Sequence, residues 1–199
     1  MHAVRICFIG DSFVNGTGDP ACLGWAGRVC ATEQAAGHDV TYYNLGVRRD
    51  TSADIAERWH AEAAARLPAG VDGRLVFSFG VNDTVVEGGR QRVALPETLA
   101  NARAVLTAAA AWLPTLMVGP PSVIDAAQQL RVGSLSAALA TLCAEIGVPY
   151  LEVNGPLGDA AVWAAEVAAG DGAHPAAEGY LALARLFERW APSRAWFDA

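Results

Sequence analysis

A hydroxyl, an imidazole and a carboxylate stand in this sequence at places from which they could act together. Ser12 follows the apolar run from Ala3 to Ile9 through the abrupt turn Gly10-Asp11, and Asp171 and His174 share the segment Asp171-Gly172-Ala173-His174-Pro175 near the other end. A serine hydroxyl attacks a carbonyl only once a base takes its proton, and imidazole serves best as that base when a carboxylate fixes its tautomer. An Asp and a His on one short loop can supply base and orienter to a single site. Each piece also has an ordinary reading: Ser12 as a helix cap or turn residue, Asp171 with His174 as a capping or surface pair. Their joint presence moves the balance toward nucleophilic acyl chemistry.

The elements that must position these groups are legible around them. Residues 3 to 9 form a β-branched and aromatic run of strand length, and in an open α/β sheet ligands collect at the carboxyl ends of strands. Ser12 is therefore expected to stand exposed at such an end. The Asp171–His174 loop leads into a helical pattern with apolar Tyr180, Leu183, Ala184, Phe187, Trp190 and Ala191, for which Pro175 suits the first position. Two more strand-like runs end in polar turns: residues 40–43 in Asn44-Leu45-Gly46, and residues 74–79 in Gly80-Val81-Asn82-Asp83. A Gly backbone N–H and an Asn side-chain amide are donors of the kind that stabilise the oxyanion of a tetrahedral acyl intermediate.

The blocks GDSF, NLGV, GVND and DGAHP, in that order over residues 10 to 175, resemble those of the SGNH or GDSL hydrolase family. The resemblance implies roles position by position. Ser12 is the expected nucleophile, His174 the general base and then acid, and Asp171 the group that orients His174. The expected oxyanion hole comprises the N–H groups of Ser12 and Gly46 and the Asn82 amide. The implied activity is cleavage of carboxylic esters, short- to medium-chain acyl or acetyl, through an acyl-enzyme. Acyl thioesters, lysophospholipids and acetylated carbohydrates are family substrates that the motifs do not separate, and a non-catalytic flavodoxin-like binding module is the reading from another class. Two departures stand out: Phe13 replaces the name-giving Leu, and Val47-Arg48-Arg49-Asp50 follows Gly46 where many relatives place a small residue or Gly near Arg49.

Further along the chain, strands are expected at 115–119 and 148–153, and helices at 19–37, 51–66 capped by Thr51 or Ser52, 96–113, 123–146 with Gly133 able to break it, and 160–169. Ser122 is the expected cap of the 123–146 helix. Residues 85–95 read as a substrate-selecting rim or an ordinary connector. Strands alternating with helices indicate a parallel sheet covered on both faces: a three-layer α/β/α sandwich around a five-stranded parallel sheet, flavodoxin-like in topology by the family resemblance, in one domain over residues 1–199. Ser12, Gly46 and Asn82 follow the first three strands, so they are expected to converge at one sheet edge.

Composition bounds the rest. At 199 residues and 53% hydrophobic, one domain of this length buries about 70% of its unfolded surface without staples. The formal net charge of −7 argues against nucleic-acid and anionic-membrane partners; the partner that the family resemblance implies is a small-molecule acyl ester. Arg48, Arg49, Arg90 and Arg92 could still meet a phosphate at the rim or simply be solvated. A strand beginning at residue 3 leaves no room for a secretory signal, which makes the cytoplasm the expected location. The greasy stretch 104–118 is interrupted by Thr107, Pro114 and Thr115 and reads as a helix end and a strand start. Cys7, Cys22, Cys30 and Cys143 lack CxxC spacing and are expected as reduced thiols, although a Cys22–Cys30 bridge is geometrically open. No cofactor or metal is expected: Gly16-x-Gly18 completes no nucleotide fingerprint, and Asp171 and His174 lack further ligands at metal-binding spacing. His2, His38 and His60 have no partner motif. The aromatics of residues 194–198 are expected to cover either this domain or a second copy.

Overall fold

The computed structural model describes residues 3–197; His2, expected to have no partner motif, and Asp198, in the aromatic tail, lie outside the described residues. The chain runs β1 (Ala3–Gly10), α1 (Ser12–Asn15), α2 (Gly24–Ala35), β2 (Asp39–Gly46), α3 (Ser52–Ala64), β3 (Asp72–Ser78), a 3₁₀ turn (Asn82–Thr84), β4 (Val86–Glu87) and β5 (Arg90–Gln91). It continues through α4 (Leu95–Trp112), β6 (Thr115–Val118), α5 (Ala126–Ile146), β7 (Tyr150–Leu151), α6 (Asn154–Gly158), α7 (Ala161–Ala169), α8 (Ala177–Arg189) and α9 (Ala191–Arg194).

Five strands form one parallel sheet in the order β2-β1-β3-β6-β7. Counted along the chain this is 2-1-3-4-5, the doubly wound flavodoxin-like order, whose switch point lies between β1 and β3. Alternation along β1 divides the core. Val4, Ile6 and Phe8 join the helices α2, α7 and α8 on one face, while Cys7 and Ile9 join α3, α4 and α5 on the other. Trp25 packs edge-on to Phe8 at 5.3 Å and against Phe187 at 5.4 Å, so α2 and α8 close over β1 as a pair. Truncating such an aromatic costs about 3–5 kcal/mol.

Several boundaries differ from the sequence reading, each for a local reason. Helix α2 starts at Gly24, not Asp19, because the buried Asp19 carboxylate accepts the N–H groups of Ala21, Leu23 and Gly24 and pairs with Arg28, which shapes a loop instead. Asp125 rather than Ser122 caps α5, accepting the Gln128 N–H at 2.7 Å, and α5 runs unbroken through Gly133. Residues 85–95 carry the antiparallel pair β4–β5. The last sheet strand shortens to Tyr150–Leu151. Thr51 caps α3 in a reciprocal capping box with Asp54. All four cysteines are free, so the Cys22–Cys30 bridge is not formed. Trp196 and Phe197 pack on this domain: Arg74 donates to the Trp196 carbonyl and lies 5.5 Å over its ring. Among the described residues no helix is long and apolar enough to cross a membrane.

Candidate active site

Parallel register brings three strand ends level. Gly10 at the end of β1 pairs with Gly46 of β2 on one side and Ser78 of β3 on the other. The chain leaving β1 turns at once into α1, and this elbow lies on the end of β2. A Cβ at Gly46 would stand 2.2 Å from the Asn15 nitrogen and 2.7 Å from the Asp11 carbonyl oxygen, so no side chain fits there. Asn44 ties the same two segments, donating to the Val14 carbonyl at 2.8 Å and accepting the Gly46 N–H at 3.0 Å.

Asp11 is the N-cap of α1; its Oδ1 accepts the Phe13 N–H at 2.9 Å. Ser12 opens the helix, where the first N–H groups have no intrahelical acceptor. Ser12 does not stand exposed as its place at a turn predicts: it is 3% exposed, because α1 is buried and the His174 ring closes over it. His174 Nε2 lies 2.7 Å from Ser12 Oγ, and His174 Nδ1 lies 2.8 Å from Asp171 Oδ2. Asp171 Oδ1 also accepts the N–H groups of Ala173 and His174, so one carboxylate holds both the ring and the loop's backbone. Phe13, in place of the family's Leu, backs the imidazole at 4.8 Å between centroids and stacks on the buried Trp163 at 6.3 Å.

Asn82 lies in the 3₁₀ turn after β3, with Nδ2 donating to the Asp50 carbonyl at 2.9 Å and 3.4 Å from Asp11 Oδ2. Arg58 links these parts from α3: it donates to the Gly10 carbonyl at 2.9 Å and pairs with Asp50 at 2.6 Å. Asp83 accepts the Ser52 N–H and the Thr98 hydroxyl, tying the same turn to α3 and α4.

The histidine loop has its own support. Pro175 is not the first residue of α8, which begins at Ala177 with Ala176 as its cap. The free N–H groups of that terminus, from Ala176, Glu178 and Gly179, go instead to the Glu166 carboxylate of α7, at 2.9, 3.2 and 2.7 Å. A carboxylate at a helix N-terminus also meets the positive end of its dipole. On the elbow's side, Gly18 (φ 91°) runs so close that a Cβ would sit 2.7 Å from the Pro175 carbonyl oxygen. Nothing in the spacing of Glu166 or Arg58 marks them in the sequence, and Asn44, though it opens the NLGV block, carries no sign there of its bond to Val14, because each finds its partner only across the fold.

Charge is distributed unevenly. Burial pushes Asp11 up to about 7 against the pull of the Phe13 N–H, and the neighbouring Asp83 and Asp50 charges add to the rise. Burial likewise raises Asp83, against its bonds from Ser52 and Thr98. At Asp171 burial also pushes upward, but the N–H groups of His174 and Ala173 and the His174 ring outweigh it and hold the carboxyl at about 2. Cys7, Cys30 and Cys143 are pushed up to about 12 by burial, which makes them poor nucleophiles. At the rim, Arg49 stands at φ 74°, the left-handed region that favours Gly, held by Glu87 at 2.8 Å and by Arg92, which donates to its carbonyl. Arg48, 62% exposed, lies 3.6 Å from Asp171.

The family model for the GDSL-like lipase/acylhydrolase family matches residues 8–182. Among solved structures, the chain is similar to a lipase/acylhydrolase from Enterococcus faecalis, with a TM-score of 0.80 and 22% identity over 98% of this chain and 97% of that one. An α/β hydrolase from the metagenome of Lake Arreo, Spain, gives 0.78 and 18% over 98% and 97% of the two chains. An acetylxylan esterase from Geobacillus stearothermophilus gives 0.76 and 20% over 93% and 92%. At these identities the likeness is one of fold. No curated protein matches the sequence. The family match spans the elbow, both neighbouring strand ends and the histidine loop, and with it the chain belongs to the GDSL-like lipase/acylhydrolase family.

Proposed function

We propose that the protein is a serine esterase that cleaves short- to medium-chain acyl or acetyl esters through an acyl-enzyme. The observation that carries this reading is the relay of 2.7 and 2.8 Å contacts from Ser12 Oγ through His174 to Asp171. In the proposed reaction the Ser12 oxygen bonds to the ester carbonyl carbon as its proton moves to His174 Nε2. The carbon–oxygen bond to the alcohol then breaks, and the alcohol leaves with that proton. Water repeats the sequence on the acyl-enzyme and releases the acid. Asp171, ionised at neutral pH, keeps the Nδ1 proton of His174 in place and stabilises the imidazolium. The reaction so written uses no cofactor and no metal.

The proposed oxyanion hole has three donors in unequal states. The Ser12 N–H starts a helix; the Asn82 amide has one hydrogen on Asp50 and only a 3.4 Å contact to Asp11 for the other; the Gly46 N–H rests on Asn44 Oδ1. A full negative charge outcompetes the neutral Asn44 oxygen for that N–H, because charge-assisted bonds are about twice as strong. The cytoplasm is the proposed location, where free thiols such as the exposed Cys22 stay reduced.

An anionic substrate of the thioester or lysophospholipid kind finds less support at the rim than four arginines suggest, since Arg49 is paired with Glu87 and Arg92 is spent on the Arg49 carbonyl. A non-catalytic binding module requires nucleophile and base to stand apart, and the 2.7 Å contact speaks against it. The test is hydrolysis of p-nitrophenyl esters from acetate to palmitate by wild type and Ser12→Ala, with fluorophosphonate labelling of both. Turnover and labelling of the wild type, with a loss of at least ~10⁴-fold in the variant, is the expected result. An unlabelled wild type without turnover of any ester overturns the reading.

A further inference from the structure

Arg58 keeps only 17% of its side chain in solvent, and its guanidinium has an acceptor for each of its three nitrogens. Nη1 donates to Glu62 Oε2 at 2.9 Å, one turn further along α3, an ordinary helix pair that steadies the fork. The other two reach the site: Nε donates to Asp50 Oδ2 at 2.6 Å and Nη2 to the Gly10 carbonyl at 2.9 Å.

Each of those two acceptors stands directly behind a proposed oxyanion donor. Gly10 ends β1, two residues before Ser12, and its carbonyl also accepts the Val47 N–H at 3.0 Å. That one oxygen therefore ties the start of the elbow both to α3 and to the turn that follows Gly46. Asp50 closes this turn, its N–H on the Val47 carbonyl at 3.2 Å, and its own carbonyl accepts Asn82 Nδ2 at 2.9 Å. A carbonyl can only accept, so the nitrogen of the Asn82 amide must face it. One amide hydrogen is fixed there, and the direction of the other, left with the 3.4 Å contact to Asp11, follows from it. A shift of Asp50 carries the Asn82 donor with it.

We propose that Arg58 is a positioning residue for the oxyanion hole: by holding the Gly10 carbonyl and the Asp50 carboxylate at once, it fixes the spacing between the Ser12 elbow and the Asn82 amide. The inference rests on the esterase reading and names a residue that acts through the donors without touching the substrate. A fork is required for this. A lysine ammonium carries the same charge as a compact point and lacks the rigid planar geometry, so it keeps one acceptor and releases the other. Catalytic groups displaced by about 1 Å can cost ~10²-fold in rate, which is the scale to expect when the two segments are uncoupled.

The test is a double-mutant cycle of Arg58→Lys and Asn82→Ala, read as kcat and KM on the p-nitrophenyl ester that wild type turns over fastest, with thermal unfolding of each variant. Arg58→Lys alone is expected to lower kcat by about ten- to hundred-fold and to change KM by less than about two-fold. In the Asn82→Ala background the same substitution is expected to cost less than about three-fold, because the donor it misplaces is already gone. Asp50→Ala takes the place of Arg58→Lys in the cycle if that variant does not fold; it cuts the same tether and leaves the backbone carbonyl that Asn82 uses. A kcat within about two-fold of wild type, a loss carried by KM, or an equal loss in both backgrounds overturns the proposal and leaves the esterase reading intact. A wild type that neither turns over an ester nor takes the fluorophosphonate label overturns both.

Discussion

Gly10, Asp11 and Ser12 are buried, with backbone packed against backbone at Gly46, whereas the loop from Gly170 to His174 lies at the surface and Asp171 keeps 45% of its side chain in solvent. The elbow is held by steric contact that has no slack. The loop is held by hydrogen bonds, to Asp171 within it and to Glu166 where it enters α8. A change in the elbow should therefore act on folding and chemistry together, and a change around the loop on chemistry with folding largely spared.

The largest departure from that rule should come from Asn82, which belongs to neither region but faces the elbow through Asp11. Asn82→Ala is expected to lower kcat by ~10²–10³ with little loss of stability, since its proposed donor acts in the transition state; steady-state kinetics beside thermal unfolding checks this. Gly46→Ala tests the elbow itself. With a Cβ 2.2 Å from the Asn15 nitrogen, the backbone must shift, and a destabilisation of at least about 1–3 kcal/mol is expected together with lost turnover. A variant as stable as wild type would show that the elbow is softer than its contacts imply.

Glu166→Gln probes the loop. The amide keeps one acceptor oxygen for the α8 N–H groups but loses the charge, so kcat is expected to fall about ten-fold with KM and melting temperature nearly unchanged. A matching fall in melting temperature would place Glu166 with the elbow's class of contacts. The smallest effect separates the two regions by pH. Asp11 titrates near 7 when folded, above the about 3.9 of an unfolded Asp, so its contribution to stability is present below pH ~4 and lost as pH rises through 7. Asp171, held near 2, contributes above pH ~4 and loses that contribution as pH falls toward 2. Asp11→Asn retains the cap oxygen for the Phe13 N–H and should flatten the decline in melting temperature between pH 5 and 8, incompletely because Asp83 is raised in the same sense.

Much of the site was legible before the fold. Apolar runs ending in GDS, NLG and GVND place Ser12, Gly46 and Asn82 after the first three strands, and parallel pairing does the rest by setting Gly10, Gly46 and Ser78 level. The depth of burial was not legible. Ser12 was expected in solvent, and only the closure of α1 and the His174 ring removes it. The Arg49 departure was visible in the sequence, but its left-handed backbone and its ties to Glu87 and Arg92 were not. Pro175 misled because a helix start is a matter of where N–H groups find acceptors, and Glu166 supplied them from another helix.

By itself, then, the sequence determined the properties that depend on near neighbours: which runs are strands, where each one turns, which reactive side chains follow them and, through strand–helix alternation, that the strands are parallel. Tertiary structure alone decided the properties that depend on distant ones. Asn44 on the Val14 carbonyl, Arg58 on Gly10, Glu166 on the start of α8 and the raised Asp11 all arise from groups remote in the chain. Hydrogen bonds of this kind have no periodicity to betray them, and a carboxylate's pKa follows the solvent it loses, which is known only when the chain has closed around it.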